Sequence, residues 1–124
     1  MKTELLNRTK RFAMDCWHFC LKIPKSREYN AFVNQLIRSS SSVGANYRAS
    51  QRAKSTADFI NKLKIVEEEV DESVYWLEIF GEILPEYSKE VEILKNEGKE
   101  LLAITVASIN TARRNIKNED RRKT

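Results

Sequence analysis

The chain has 124 residues, 41% hydrophobic and 32% charged, with a formal net charge of +4. That length suits one domain with a single core, and three glycines, two prolines and little period-two alternation favour an all-helical class over a sheet. No apolar run approaches the roughly 18 residues of a membrane span, and Met1 to Leu6 lacks the basic-then-apolar order of a secretion signal, so a cytoplasmic protein without membrane contact is expected.

The charge is segregated along the chain. Residues 1–64 carry 13 Lys or Arg against 4 Asp or Glu, residues 65–100 carry 3 against 12, and residues 101–124 carry 6 against 2. A basic half, an acidic middle and a basic end fit two readings: a surface for nucleic acid, or helices that attract one another when packed antiparallel.

The first predicted helix covers about residues 3–22. Leu5, Thr9, Phe12, Cys16, Phe19 and Ile23 recur at spacings of four and three, and Leu6, Ala13, Trp17 and Cys20 widen that stripe. Arg8, Lys10 and Arg11 cluster on the other side. Pro24 ends the helix, because proline cannot donate to the hydrogen-bond ladder. Ser26 then offers a side-chain cap to a second helix.

That second helix, about 27–52, is organised around RSSSSVGANYRASQR, Arg38 to Arg52. Phe32, Val33, Leu36, Ile37, Val43 and Tyr47 hold a helical face through it, so it reads as helix and not as a serine linker. Glycine within a helix costs about 1 kcal/mol relative to alanine, which close approach of a neighbouring helix to the small side chains of Ser39 to Ala45 can offset.

The third helix spans about 56–83, with Ser55 or Thr56 as cap and Leu63, Val66, Val70, Ser73, Leu77, Phe80 and Leu84 as its stripe. Phe59, Ile60, Val74 and Trp76 make its apolar perimeter broad enough for a second contact, either a fourth helix or another subunit. Gly81 and Pro85 mark the next reversal. The fourth helix covers about 88–116, and the polar run from Lys117 to Thr124 is expected to fray. Four amphipathic helices with short connections predict an all-α, up-down-up-down antiparallel four-helix bundle in one domain.

Catalytic constellations do not emerge. The run Glu67, Glu68, Glu69, Asp71, Glu72 lacks the Glu-x-x-His partner of a carboxylate-bridged metal centre, and His18 is the sole histidine. Cys16 and Cys20, one turn apart, read as small reduced core residues. The serines have no general base, and no glycine-rich phosphate loop occurs. No enzyme, metal or cofactor is expected. The antiparallel register of helices two and three sets Arg38 opposite Glu69 and within reach of Glu72, Asn46 near Asn61 and Lys62, and Arg48 near Phe59 or Asp58. Arg38, Asn46, Arg48, Glu68, Glu69 and Glu72 are therefore candidates for polar pairing that fixes helix register. The candidate nucleic-acid residues are Arg8, Lys10, Arg11, Arg52, Lys54, Arg113 and Arg114, of which all but Arg11 are drawn toward one pole by the topology.

RSSSSVGANYRAS, followed by RAKSTADFINKLKIVEEEVDESVYWLEIF, resembles the bacterial four helix bundle protein family over about residues 8–116. That family includes proteins encoded in intervening sequences of 23S ribosomal RNA genes and is similar to the accessory variability protein of retroelements. The resemblance implies a four-helix bundle. By likeness to the retroelement proteins it also implies a homopentamer with a basic surface for RNA or DNA, and a reverse transcriptase partner in a retroelement setting. Two functions follow as expectations: a non-enzymatic oligomeric accessory protein that binds nucleic acid with little sequence specificity, or a protein-interaction scaffold with no nucleic-acid role.

Overall fold

The structure, a computed structural model, describes residues 2–123. Its helices are α1 (Lys2–Leu21), α2 (Arg27–Ser50), α3 (Thr56–Ile83) and α4 (Ser88–Lys123), with one 3-10 turn at Pro85–Tyr87. Each helix packs on the next in sequence, and α4 returns to meet α1, while α1 and α3, like α2 and α4, take opposite corners. The result is an antiparallel four-helix bundle. The α2–α3 turn, the start of α1 and the end of α4 share one pole; the other two turns share the far pole.

The helix starts follow from local chemistry. Ser26 accepts a hydrogen bond from the Tyr29 N–H at 3.1 Å, and Ser55 accepts one from the Asp58 N–H at 3.1 Å. Asp58 reaches back to accept from the Lys54 N–H at 3.1 Å, so the Ser55 and Asp58 side chains each hold one backbone donor at that turn. Pro85 opens the 3-10 turn that leads directly into α4.

The stripes read from the sequence meet in one core. Phe12, Cys16, Leu36, Val43, Leu63, Val66, Val70, Leu77, Phe80 and Leu101 are almost fully buried. Toward the far pole the core is aromatic, with Phe19 edge-on to Phe80 and to Tyr87, both at 6.0 Å, and Phe32 tilted against Trp76 at 5.1 Å. The serines of α2 serve two neighbours. Ser39, fully buried, accepts a 2.9 Å hydrogen bond from Ser73 of α3, and Ser40 lies against the Cys16 thiol of α1. At Gly44 a Cβ would stand 3.4 Å from the backbone of Thr9 and Lys10, so α1 crosses α2 at contact distance there.

Two expectations change. Trp17, assigned to the widened core stripe, is 49% exposed, because α1 has finished burying its apolar face with Ala13 and Cys20 and leaves Trp17 beside Met14 on the outer side. The polar end from Lys117 continues as helix to Lys123. Its residues are mostly adequate helix formers, and Arg121, Arg122 and Lys123 in the last turn oppose the negative end of the helix dipole. Thr124 lies outside the described residues.

Close approach at Gly44 generates a paired prediction. Gly44→Ala should keep or slightly raise stability, since the methyl fits at contact and alanine favours helix by about 1 kcal/mol. Gly44→Leu should push α1 away and cost about 1–3 kcal/mol in chemical denaturation.

Burial raises the Cys16 thiol from 9.0 to about 12 and the Cys20 thiol from 9.0 to about 11. Native protein at pH 8 should resist a thiol-reactive dye that labels both cysteines after unfolding. The raised values mean that the unfolded chain loses these protons first. Stability should therefore fall as pH rises above about 9, and a Cys16→Ala variant should show a flatter decline.

Candidate nucleic-acid interface

Because α2 packs on α1 along one flank and α3 along the other, its remaining face looks outward. That face carries Ser41, Ala45 and Arg48, all exposed, with Ala49 half-buried, and the exposed Arg52 follows in the turn after the helix. The small residues recur every four positions, so they form a low ridge with a groove on either side. Toward α1 the groove is lined by Asn7, Lys10, Ala13, Ser41, Gly44, Ala45 and Arg48. Toward α3 it is lined by Ala45, Arg48, Ala49, Arg52, Lys54, Asp58 and Lys62. Ala45 and Arg48 belong to both, so the two grooves join across the ridge.

Of the seven basic candidates, Lys10, Arg52 and Lys54 line these grooves, and Arg48, read from the sequence as a pairing residue, stands at their junction. Arg8 is differently placed. It donates to Glu97 of α4 from Nε at 3.1 Å and Nη2 at 2.6 Å and also meets Glu100 at 3.1 Å, and Glu97 chiefly holds its guanidinium in the charged form. Arg11 is exposed and lies 3.7 Å from Asp15. Arg113 and Arg114 are exposed on α4, at the corner diagonal to α2, with Arg114 donating to the Thr111 hydroxyl at 3.2 Å. The shared pole thus carries basic residues on two sides of the bundle.

The polar pairing set divides in the same way. Arg38 spans two acids of α3, donating from Nη1 to Glu69 at 3.1 Å and from Nη2 to Glu72, which is the main cause of its raised pKa. Glu72 also accepts from the Trp76 indole at 3.2 Å, so one carboxylate ties the ion pair to the aromatic core. The pair is half-exposed, which makes it a registering contact whose strength falls with salt. Asn46 instead donates to the Ser42 carbonyl of its own helix at 2.9 Å, because that carbonyl lies one turn back on the same face. Glu68 faces solvent, one position round the helix from the α2 contact that Glu69 makes.

The cross-helix ion pairs lie at the seams, away from the lining of either groove. Lys22 pairs with Glu90 and Arg8 with Glu97, both across the α1–α4 seam, while Arg38 holds Glu69 and Glu72 at the α2–α3 seam. Asp58, the one acid lining either groove, is held below the usual carboxylate range by the Lys54 N–H and by Lys62 at 3.3 Å. Lys10, Arg48 and Arg52 carry no ion pair among the described residues, so their charge is directed outward. Among the described residues no group of three or more His, Cys, Asp or Glu is placed to hold a metal ion, and no helix is long and apolar enough to cross a membrane. Sequence reasoning missed the part that the small outward residues play, although their i, i+4 recurrence beside Arg48 and Arg52 is present in the motif.

Comparison with known proteins places this geometry. No curated protein matches the chain. Among solved structures it is similar to a protein of unknown function from the S23 ribosomal protein family of Bacteroides thetaiotaomicron VPI-5482. The TM-score is 0.78 at 28% identity, over 85% of this chain and 97% of that one. Residues 1–107 match the 23S rRNA-intervening sequence protein family, a span that holds the whole α2 motif and both grooves and leaves Arg113 and Arg114 beyond its end; the chain belongs to that family.

Proposed function

We propose that the chain is a non-enzymatic accessory protein that binds the phosphate backbone of RNA or DNA with little sequence selectivity. The observation that carries this reading is the joined pair of grooves over α2, where Lys10, Arg48, Arg52 and Lys54 converge with Asp58 as the one acid in their lining. Phosphate contact needs converging cations that are not already neutralised, and small residues between them let a strand approach the helix closely. The grooves are shallow and offer no base-reading helix, which fits backbone recognition. A cytoplasmic location, and a reverse transcriptase partner where the gene lies in a retroelement, are the settings for this role.

Self-association belongs to the same reading and, without nucleic acid, is the alternative to it. Leu21 is 63% exposed, Ile83 45% and Ile93 70%, and all three lie toward the far pole, where α1 and α3 end and α4 begins. Apolar side chains gathered at one end favour contact with another copy, for which the family resemblance suggests five subunits.

The test is a titration of labelled structured RNA and duplex DNA at several salt concentrations, with mass measured by light scattering in the same buffers. Binding should weaken steeply with salt. Replacing Arg48, Arg52 and Lys54 together by alanine should lower the slope of log K against log salt by about 2–3, at 0.7–0.9 per phosphate contact. Arg113→Glu with Arg114→Glu, across the bundle, should have the smaller effect. An intact oligomer that ignores both nucleic acids at low salt would leave the scaffold reading standing instead.

A further inference from the structure

A third groove continues the first two. Trp17, Met14, His18 and Ile37 line it together with Ala13 and Ser41, and the last two also line the groove that holds Lys10 and Arg48. One trench therefore runs from Lys54 and Arg52 over the Ala45 ridge, past Arg48 and Lys10, to Trp17. From Ile37 to Ser50 it follows α2 for about 20 Å at 1.5 Å per residue. That length matches about six nucleotides at a stacked rise of 3.4 Å.

The two ends of the trench differ in chemistry. Its pole end is cationic. Its other end is an aromatic platform: Trp17 is 49% exposed, and the His18 ring stands edge-on to it at 5.1 Å and 83°. Met14, 46% exposed, extends the apolar surface beside it. A half-exposed tryptophan next to an unneutralised row of cations suits a ligand that is anionic along its length and flat at intervals. An unpaired base has a free π-face for the indole, whereas a base inside a duplex is already stacked on both sides.

We propose that this trench binds single-stranded nucleic acid, with the backbone tracked by Lys10, Arg48 and Arg52 and one base stacked on Trp17. The proposal rests on the nucleic-acid reading above and narrows its ligand class. Small side chains at Ser41, Gly44 and Ala45 let the strand cross α2 near its backbone, and the Arg48 guanidinium, at the junction of two grooves, is placed to meet phosphate on either side of the ridge.

Fluorescein-labelled ten-nucleotide oligouridylate and a twenty-base-pair RNA duplex, titrated at low salt with wild type, Trp17→Ala, Trp17→Phe and Lys10→Ala/Arg48→Ala, test it. Trp17→Ala should weaken oligouridylate binding about 5- to 150-fold and leave the duplex unchanged, with Trp17→Phe largely restoring the single strand. Circular dichroism should show the same helix content for every variant, since Trp17 lies outside the core. Single strand and duplex binding alike, both indifferent to Trp17→Ala, would overturn the trench and spare the basic surface. Absence of any binding would overturn both. A tryptophan emission shift that follows protein concentration alone, lost in Trp17→Ala, would mean that a second copy covers the platform and would also overturn the proposal.

Discussion

The bundle depends on the absence of bulk along α2. Helices pack at axial separations set by the side chains between them, and at Gly44 there is nothing between α2 and the backbone of Thr9 and Lys10. Ser39 does the same service on the α3 side, where its hydroxyl and that of Ser73 meet without leaving an unsatisfied polar group. With α1 and α3 both drawn close to α2, α4 closes the far side, where it packs broadly on α3 and meets α1 both through Gly98 beside the Phe12 ring and through the Arg8–Glu97 and Lys22–Glu90 pairs. The unfavourable helix propensity of four serines and a glycine is thus offset by contacts that larger residues would prevent.

Charge segregation follows the same geometry. The acidic middle of the chain becomes the helices that flank the basic half, so the seams are where opposite charges meet: α2 to α3 at Arg38, and α1 to α4 at Arg8 and Lys22. Exposed pairs of this kind contribute little stability each, but like-charge contact in a shifted register would be unfavourable, so they select one register. Away from the seams, the grooves beside α2 are lined by Lys10, Arg48, Arg52, Lys54 and Lys62 against Asp58 among the described residues.

The elements easiest to read in the sequence are those governed by one periodicity. The stripes of α1 and α3 follow three-and-four spacing closely, and the Ser26 and Ser55 caps depend only on neighbours three residues away. The pairing of Arg38 with Glu69 was legible because one short turn fixes the α2–α3 register. Properties that depend on how widely neighbours cover a face, or on a helix distant in the sequence, are not. Trp17 falls on the widened stripe by spacing, but whether a flanking position is covered depends on how wide a face the neighbours present. Arg8 looked like a surface cation until α4 supplied Glu97 and Glu100 from nearly ninety residues away. The end of α4 was read from composition alone, which does not reveal that a charged run can extend a helix already nucleated by its packed portion.

Packing explains why the inward residues of the α2 motif are small, but it does not reach the outward ones. Ser41 and Ala45 are exposed and Ala49 is half-buried, and a soluble helix ordinarily fills such positions with lysine, glutamate or glutamine, which favour helix and solvation alike. Long side chains there would fill the two grooves and screen Arg48 and Arg52. Their absence leaves Arg48 and Arg52 standing above a low ridge with a groove on either side. The same small-residue motif thus faces two ways: inward it lets α1 and α3 pack close to α2, and outward it leaves Arg48 beside two open grooves.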